Sequence, residues 1–102
     1  MIIYNVTINI EDSVHDEWLN WMKNEHIPEV MQTGLFVENR MLKVLDDHGS
    51  GGQTYSIQYT CNSMSDYERY KENHAAGLQA KTFAKYQDKF VAFRTLLEII
   101  TI

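Results

Sequence analysis

His26 is the first residue of this chain whose type and setting invite chemistry. It stands two residues before the only proline, in NEHIPEVMQTGLF, residues 24–36. An imidazole titrates near neutral pH and can serve as base, donor or acceptor at a pocket mouth. The competing structural reading places it at a helix C-terminus, where its ring would meet free carbonyls. Glu25 and Glu29 flank it, but Pro28 alters the register between them, so spacing alone does not make them a carboxylate pair. His74 is the second catalytic candidate. By helical spacing it falls between Tyr70 and Leu78 on an apolar arc, as a satisfied core histidine or as a pocket residue. A histidine can also ligate haem, but a lone one carries little weight. His15 and His48 read as exposed.

Around these lie groups that could hold a ligand. Trp18 and Trp21, from WLNWM, most simply pack in a core, yet either could stack on a flat organic molecule. Tyr4, Tyr55, Tyr59, Tyr67 and Tyr70 would give a pocket polar rims, which favours a small aromatic ligand. Arg40 and Arg94 could each take an anionic group, with surface ion pairing as the competing reading. The ligand-binding set expected from sequence is therefore Trp18, Trp21, Tyr67, Tyr70 and Arg40. No serine elbow, zinc-binding run or dinucleotide fingerprint is present, so no metal or cofactor is expected. No residue can be tied to His26 by spacing, so no reaction can be named.

Composition narrows the class. At 102 residues, 44% of them hydrophobic, the chain fits one domain, residues 1–102, with one core. Its net charge is −5, and its six lysines and three arginines are scattered. Phosphate backbones and anionic membranes call for concentrated positive charge, so neither nucleic acid nor membrane is an expected partner. Cys61 is the only cysteine, which suits a reducing compartment. It ends an alternating strand and reads as a small buried hydrophobe. The start, MIIYNVTINIED, alternates like a strand and lacks the basic region of a signal peptide. A cytoplasmic location is the expectation.

The elements that would position these residues follow from periodicity. Residues 2–10 alternate strictly, predicting a central strand with Tyr4, Val6, Ile8 and Ile10 on one face. Asp12 or Ser13 would cap a helix reaching about residue 25, with Val14, Trp18, Trp21 and Met22 on its buried arc. Pro28 would open a separate short turn over residues 28–33, closed by Gly34. Residues 35–46 read as a second strand with a bulge between 38 and 42. DDHGSGG, residues 46–52, is a glycine-rich turn into a third strand at residues 53–61. Ser63 with Asp66, or Ser65 with Glu68, would cap a second helix carrying Tyr67, Tyr70, His74 and Leu78. A bend is expected near residues 77–80, with residues 81–90 as a further helical piece. Residues 91–102 close the chain as a strand.

Strand, helix, strand, strand, helix, strand is the split βαβ or ferredoxin-like arrangement: an α+β fold with both helices on one face of a four-stranded antiparallel sheet. The other face then needs covering, because both parities of the last strand are apolar: Phe93, Leu97 and Ile99 against Leu96, Ile100 and Ile102. A homodimer pairing sheet to sheet would cover it.

The whole chain resembles a small bacterial family of uncharacterised ferredoxin-like proteins, related in architecture to the dimeric α/β-barrel group. MIIYNVTINI, WLNWMKNEHIPEVMQTGLF and KYQDKFVAFRTLLEII carry that resemblance. The wider group includes small monooxygenases, haem-degrading enzymes and stress-response proteins, often with a pocket between helices and sheet. The resemblance implies a dimeric barrel, and such diversity makes the fold a weak guide to function. Three functions compete: a binding or structural protein without chemistry, a cofactorless monooxygenase or isomerase acting on a small aromatic, and a regulatory domain that binds a metabolite. The first is preferred.

Overall fold

A computed structural model describes residues 1–46, 49 and 51–102. The expectation for His48, and part of that for the DDHGSGG turn, lies outside the described residues. Strand β1 spans Ile2–Ile10, as its alternation predicts. It pairs antiparallel with β3 (Gln53–Cys61) on one side and β4 (Phe90–Glu98) on the other. Strand β2 (Glu38–Lys43) pairs antiparallel with β3, giving the order β2-β3-β1-β4. This is the ferredoxin-like sheet.

The long crossovers are helical and contain two turns wider than an α-helix. After a 3-10 turn at Asp12–Val14, α1 (His15–Trp21) passes through a π-helical turn, Met22–His26, into α2 (Ile27–Gln32). The second crossover runs from α3 (Met64–Tyr70) through a π-helical turn, Lys71–Ala75, into α4 (Ala76–Tyr86). Each π turn inserts one residue and rotates the helix beyond it. Trp18 and Met22 are buried four apart, but the next buried residue, Ile27, comes after five. A continuous α-helix would instead point Glu25 or Glu29 inward. Tyr70 and Ala75 repeat the five-residue gap before Leu78.

This corrects the expected break at residue 26. The first helical crossover continues to Gln32, so His26 sits in mid-helix and not at a C-terminus. Pro28 lies at the start of α2, where the wider turn before it eases both the missing donor and the ring clash. The irregularity in the second crossover falls at residues 71–75, not 77–80, and α4 runs through Gly77.

Other boundaries follow local chemistry. Ser63 caps α3 by accepting a bond from Asp66 N at 3.3 Å. Ser13 caps nothing; its hydroxyl donates to Glu11 instead. Gly34 ends α2 with φ +77° and donates to Met31 O. In the turn before β3, Gly52 has φ +66°, and a Cβ there would lie 2.6 Å from Ile10 O. The expected bulge in β2 is absent: its register with β3 is continuous from Glu38 to Lys43. The strand needs no apolar face, because it is an exposed edge with only Met41 half-buried. Strand β4 stops at Glu98, short of the predicted residue 102.

The core lies between the helices and one sheet face. Tyr4, Ile8, Ile10, Tyr55, Ile57, Tyr59 and Cys61 enter it from the strands, and Trp18, Val30, Tyr70, Leu78 and Tyr86 from the helices. Among the described residues, no helix is long and apolar enough to cross a membrane.

Candidate functional site

The sheet's central strand and its β4 edge form the floor of a narrow cavity, and the two crossovers form its roof. Alternation along β1 sends Tyr4, Val6 and Ile8 to this side. Register then brings Arg94 opposite Val6, Ala92 opposite Ile8 and Phe90 opposite Ile10. Met22, His26 and Val30 descend from the first crossover, and Leu78, Gln79 and Thr82 from α4. The enclosed volume is about 40 Å³. That holds water but not a drug-sized molecule, whose sites measure roughly 300–1,000 Å³.

His26 follows Met22 by four residues, one turn of the crossover, and both side chains reach this wall. Its ring stacks on Trp21, with centroids 4.8 Å apart and planes 26° from parallel. Its Nδ1 is buried and has no hydrogen-bond partner among the described residues. Trp18 Nε1 and Tyr86 Oη are in the same state, but neither residue lines the cavity. Burial lowers the His26 pKa from 6.5 to about 4. Glu29 opposes the shift, and Lys81 and Arg94 reinforce it. The ring is therefore neutral at physiological pH, with one nitrogen open to accept a bond or a proton.

Arg94 is the cation at the cavity's β4 side. Its Nε donates to Tyr4 Oη at 3.0 Å, which fixes the guanidinium. Tyr4 is itself held in an aromatic cluster, 5.5 Å from Tyr67 and 5.5 Å from Tyr70 between ring centroids. Phe36 and Tyr59 complete that cluster. Burial raises the pKa values of Tyr59 and Tyr70 well above the usual phenol range, so both stay protonated.

The structure separates the residues singled out from sequence. His26 and Tyr70 line the cavity together. Tyr67 stands behind Tyr4, and Trp21 behind His26. Trp18 is fully buried against Tyr55, 5.3 Å between centroids, away from the cavity wall. His74 is half-buried beside Tyr70, 6.3 Å between centroids, and does not line the cavity. Arg40 lies on the opposite sheet face, where its Nε donates to Gln58 Oε1 at 3.2 Å. His15 is not exposed as expected: its side chain is 12% exposed, with Nε2 2.7 Å from Tyr55 Oη and Nδ1 2.9 Å from Asp16 Oδ1. Gln79 and Thr82 join the wall without having been expected there. The signal for them in the sequence is their position beside Leu78, on the turns facing the sheet. Among the described residues, no three His, Cys, Asp or Glu side chains gather as a metal site.

The family model for a domain of unknown function, DUF4286, matches residues 1–100, and the chain belongs to that family. No curated protein matches the sequence. Solved structures match the fold over nearly the whole chain. A protein from Arabidopsis thaliana superposes with TM-score 0.70 and 14% identity, each chain fully covered. A dimeric ferredoxin-like protein from an uncultured marine organism gives 0.63 and 10%, covering 99% of this chain and 95% of that one. An antibiotic biosynthesis monooxygenase gives 0.63 and 13%, covering 99% and 100%. At such identities the likeness establishes the ferredoxin-like fold and nothing finer.

Proposed function

For this member of the DUF4286 family, we propose a binding protein that works as a homodimer of one-domain chains and holds a small organic ligand between helices and sheet. The observation that carries the reading is His26 Nδ1: a buried polar atom, short of a partner, on a residue of the cavity wall. An unmet buried polar atom costs roughly 1–3 kcal/mol, so a site that keeps one is organised for something else to meet it. A ligand's polar group meets that atom when the wall around it yields on binding. The lone, buried Cys61 fits a reducing compartment such as the cytoplasm.

The homodimer rests on the open sheet face. Val91, Phe93 and Leu97 line its β4 margin at 73%, 62% and 41% exposure. An apolar margin beside a sheet face without helices favours a second sheet as its cover. A neighbour of the same fold is described as dimeric, which agrees with this arrangement. The protein should sediment as a dimer at micromolar concentration, and Phe93→Asp should shift it to monomer. A monomer mass for the unaltered chain would end this part of the reading.

An aromatic ligand makes a further demand. A cavity that accepts benzene measures about 150 Å³, whereas this one encloses about 40 Å³. An aromatic ring therefore requires the two crossovers to move apart. A thermal-shift and NMR screen of small aromatics and haem tests the site. A binder should move the Trp21 and His26 resonances, and His26→Gln should weaken it at unchanged melting temperature. Shifts confined to other surfaces would overturn the assignment.

The neutral His26 also favours a second reading, a cofactorless monooxygenase or isomerase in which Nδ1 takes a proton from a bound acid. Turnover that falls with an apparent pKa near that of His26, and vanishes in His26→Gln, would distinguish chemistry from binding alone.

A further inference from the structure

Charge at the cavity is one-sided. Glu29 is the carboxylate acting on His26, and it is already paired with Lys81 Nζ. Arg94 has no carboxylate partner among the described residues. It engages Tyr4 through Nε, and neither of its Nη groups has a hydrogen-bond or ion-pair partner among the described residues. This happens in a chain of net charge −5, where carboxylates outnumber cations. The rest of the lining carries no charge: it is apolar at Val6, Ile57, Met22 and Leu78 and neutral but polar at Gln79 and Thr82.

These features place three constraints on the occupant. A ligand cation would meet the Arg94 guanidinium with no unpaired carboxylate on the wall, so positive charge is disfavoured. A dianion would face only one unpaired guanidinium, leaving a second charge without a counter-ion at high desolvation cost. A single anionic group with two oxygens matches the fork of the two Nη groups, which Tyr4 holds in place. Volume supplies the third constraint: a slot of about 40 Å³ must widen for any longer tail, and an unbranched chain, thinner than a ring, needs less parting of the crossovers.

We propose that the cavity takes a small monoanion, a carboxylate or enolate, with its oxygens on the Arg94 guanidinium and a slim unbranched apolar tail in the slot beside His26. The proposal rests on the reading of this cavity as a ligand site, and it names the chemistry of the ligand.

A matched set of probes tests it. Hexanoate, 1-hexanol, hexylammonium and benzoate are titrated into isotope-labelled protein, following the Arg94 Nε–H, the His26 ring and the Leu78 methyls. Hexanoate should bind about tenfold or more tighter than hexanol, as a charge-assisted pair should outbind a neutral one. Hexylammonium should leave the cavity signals unmoved, and benzoate should bind more weakly than hexanoate. In Arg94→Gln, hexanoate should fall to the level of hexanol while hexanol is unchanged. Arg94→Lys, which keeps the charge and loses the fork, should lie between. Equal affinity for hexanoate and hexanol in the unaltered protein, or indifference to Arg94→Gln, would overturn the anion while leaving the cavity a ligand site. If no probe, hexanol included, moves the cavity signals, the ligand-site reading fails and takes the proposal with it.

Discussion

Along β1 the side chains alternate between two environments. Tyr4, Ile8 and Ile10 enter the helix-covered core at 3%, 4% and 0% exposure. Asn5, Thr7 and Asn9 face the other way, onto a sheet surface without helices. The first set packs ring against ring, as Tyr4 does with Tyr59 and Tyr70. The second is satisfied by hydrogen bonds. Asn5 accepts from Ser56 Oγ and donates to Thr7 Oγ1 at 3.1 Å, and Asn9 donates to Thr54 Oγ1 at 3.1 Å. The covered face carries a cavity with an unmet polar atom on its wall. The open face carries a polar ladder with its bonds met and an apolar margin on β4. One face is thus organised to admit something small, and the other to be covered by something large.

The largest expected effect lies in the covered layer. Trp18 is 0% exposed and tilts against Tyr55. Trp18→Ala should cost about 3–5 kcal/mol in urea unfolding. That is a large share of the roughly 5–15 kcal/mol that holds a domain together. Phe93→Ala, at 62% exposure on the open face, should cost the folded chain far less. Equal losses at the two positions would break the contrast between the faces.

Next comes the pH dependence of the cavity wall. Burial holds the folded His26 imidazole at about 4, below its ordinary 6.5. The folded state therefore resists protonation more than the unfolded chain does. Stability from the neutral ring is complete above pH 6.5 and is lost as pH falls toward 4, by an amount on the order of 3 kcal/mol. Glu29, Lys81 and Arg94 all act on the ring, so the comparison must be differential. His26→Gln should flatten the stability profile between pH 6.5 and 4 relative to the unaltered protein. Parallel profiles would mean that the ring is hydrated and the wall open.

Much of this architecture is legible in the sequence, and the departures have a common cause. β1 and β3 follow from strict alternation, because each is central and has one face in the core. The turn glycines and the Ser63 cap follow from local backbone chemistry. Strand β2 is harder to read because its alternation is weak, and an exposed edge strand needs none. The π turns escape a helical spacing of three and four residues. The five-residue steps from Met22 to Ile27 and from Tyr70 to Ala75 are the signal that marks them. Pro28 makes His26 read as a helix end, whereas the crossover carries on through it into α2. Arg94 can be placed only through the register of β4 against β1, which is a long-range property.

On the open face, Asn5 makes the sharper test. It is 8% exposed although no helix covers it, and both of its amide atoms are engaged. Asn5→Ala should cost about 1–2 kcal/mol by leaving Ser56 and Thr7 short of a partner. Unfolding at two protein concentrations separates this local cost from any loss of pairing between copies. A neutral result would mean that water already substitutes within the ladder.

The smallest expected effect belongs to Arg40, and it sharpens the comparison because Arg40 and Arg94 are equivalent as sequence. Both are arginines in strands, and both bond through Nε to one neutral side chain, Gln58 Oε1 at 3.2 Å and Tyr4 Oη at 3.0 Å. They differ in the face they occupy. Both are exposed, but Arg40 stands on the open side among polar neighbours, whereas Arg94 borders the cavity on the helix-covered side. Arg40→Gln should change stability by no more than about 0.5 kcal/mol, and should leave hexanoate binding at the cavity unaltered. Arg94→Gln should leave stability similarly intact and remove the preference for the anion. If the two substitutions have the same effect on binding, the field of the whole surface attracts the ligand. If only Arg94 matters, position on the covered face is what gives one of two otherwise similar arginines a function.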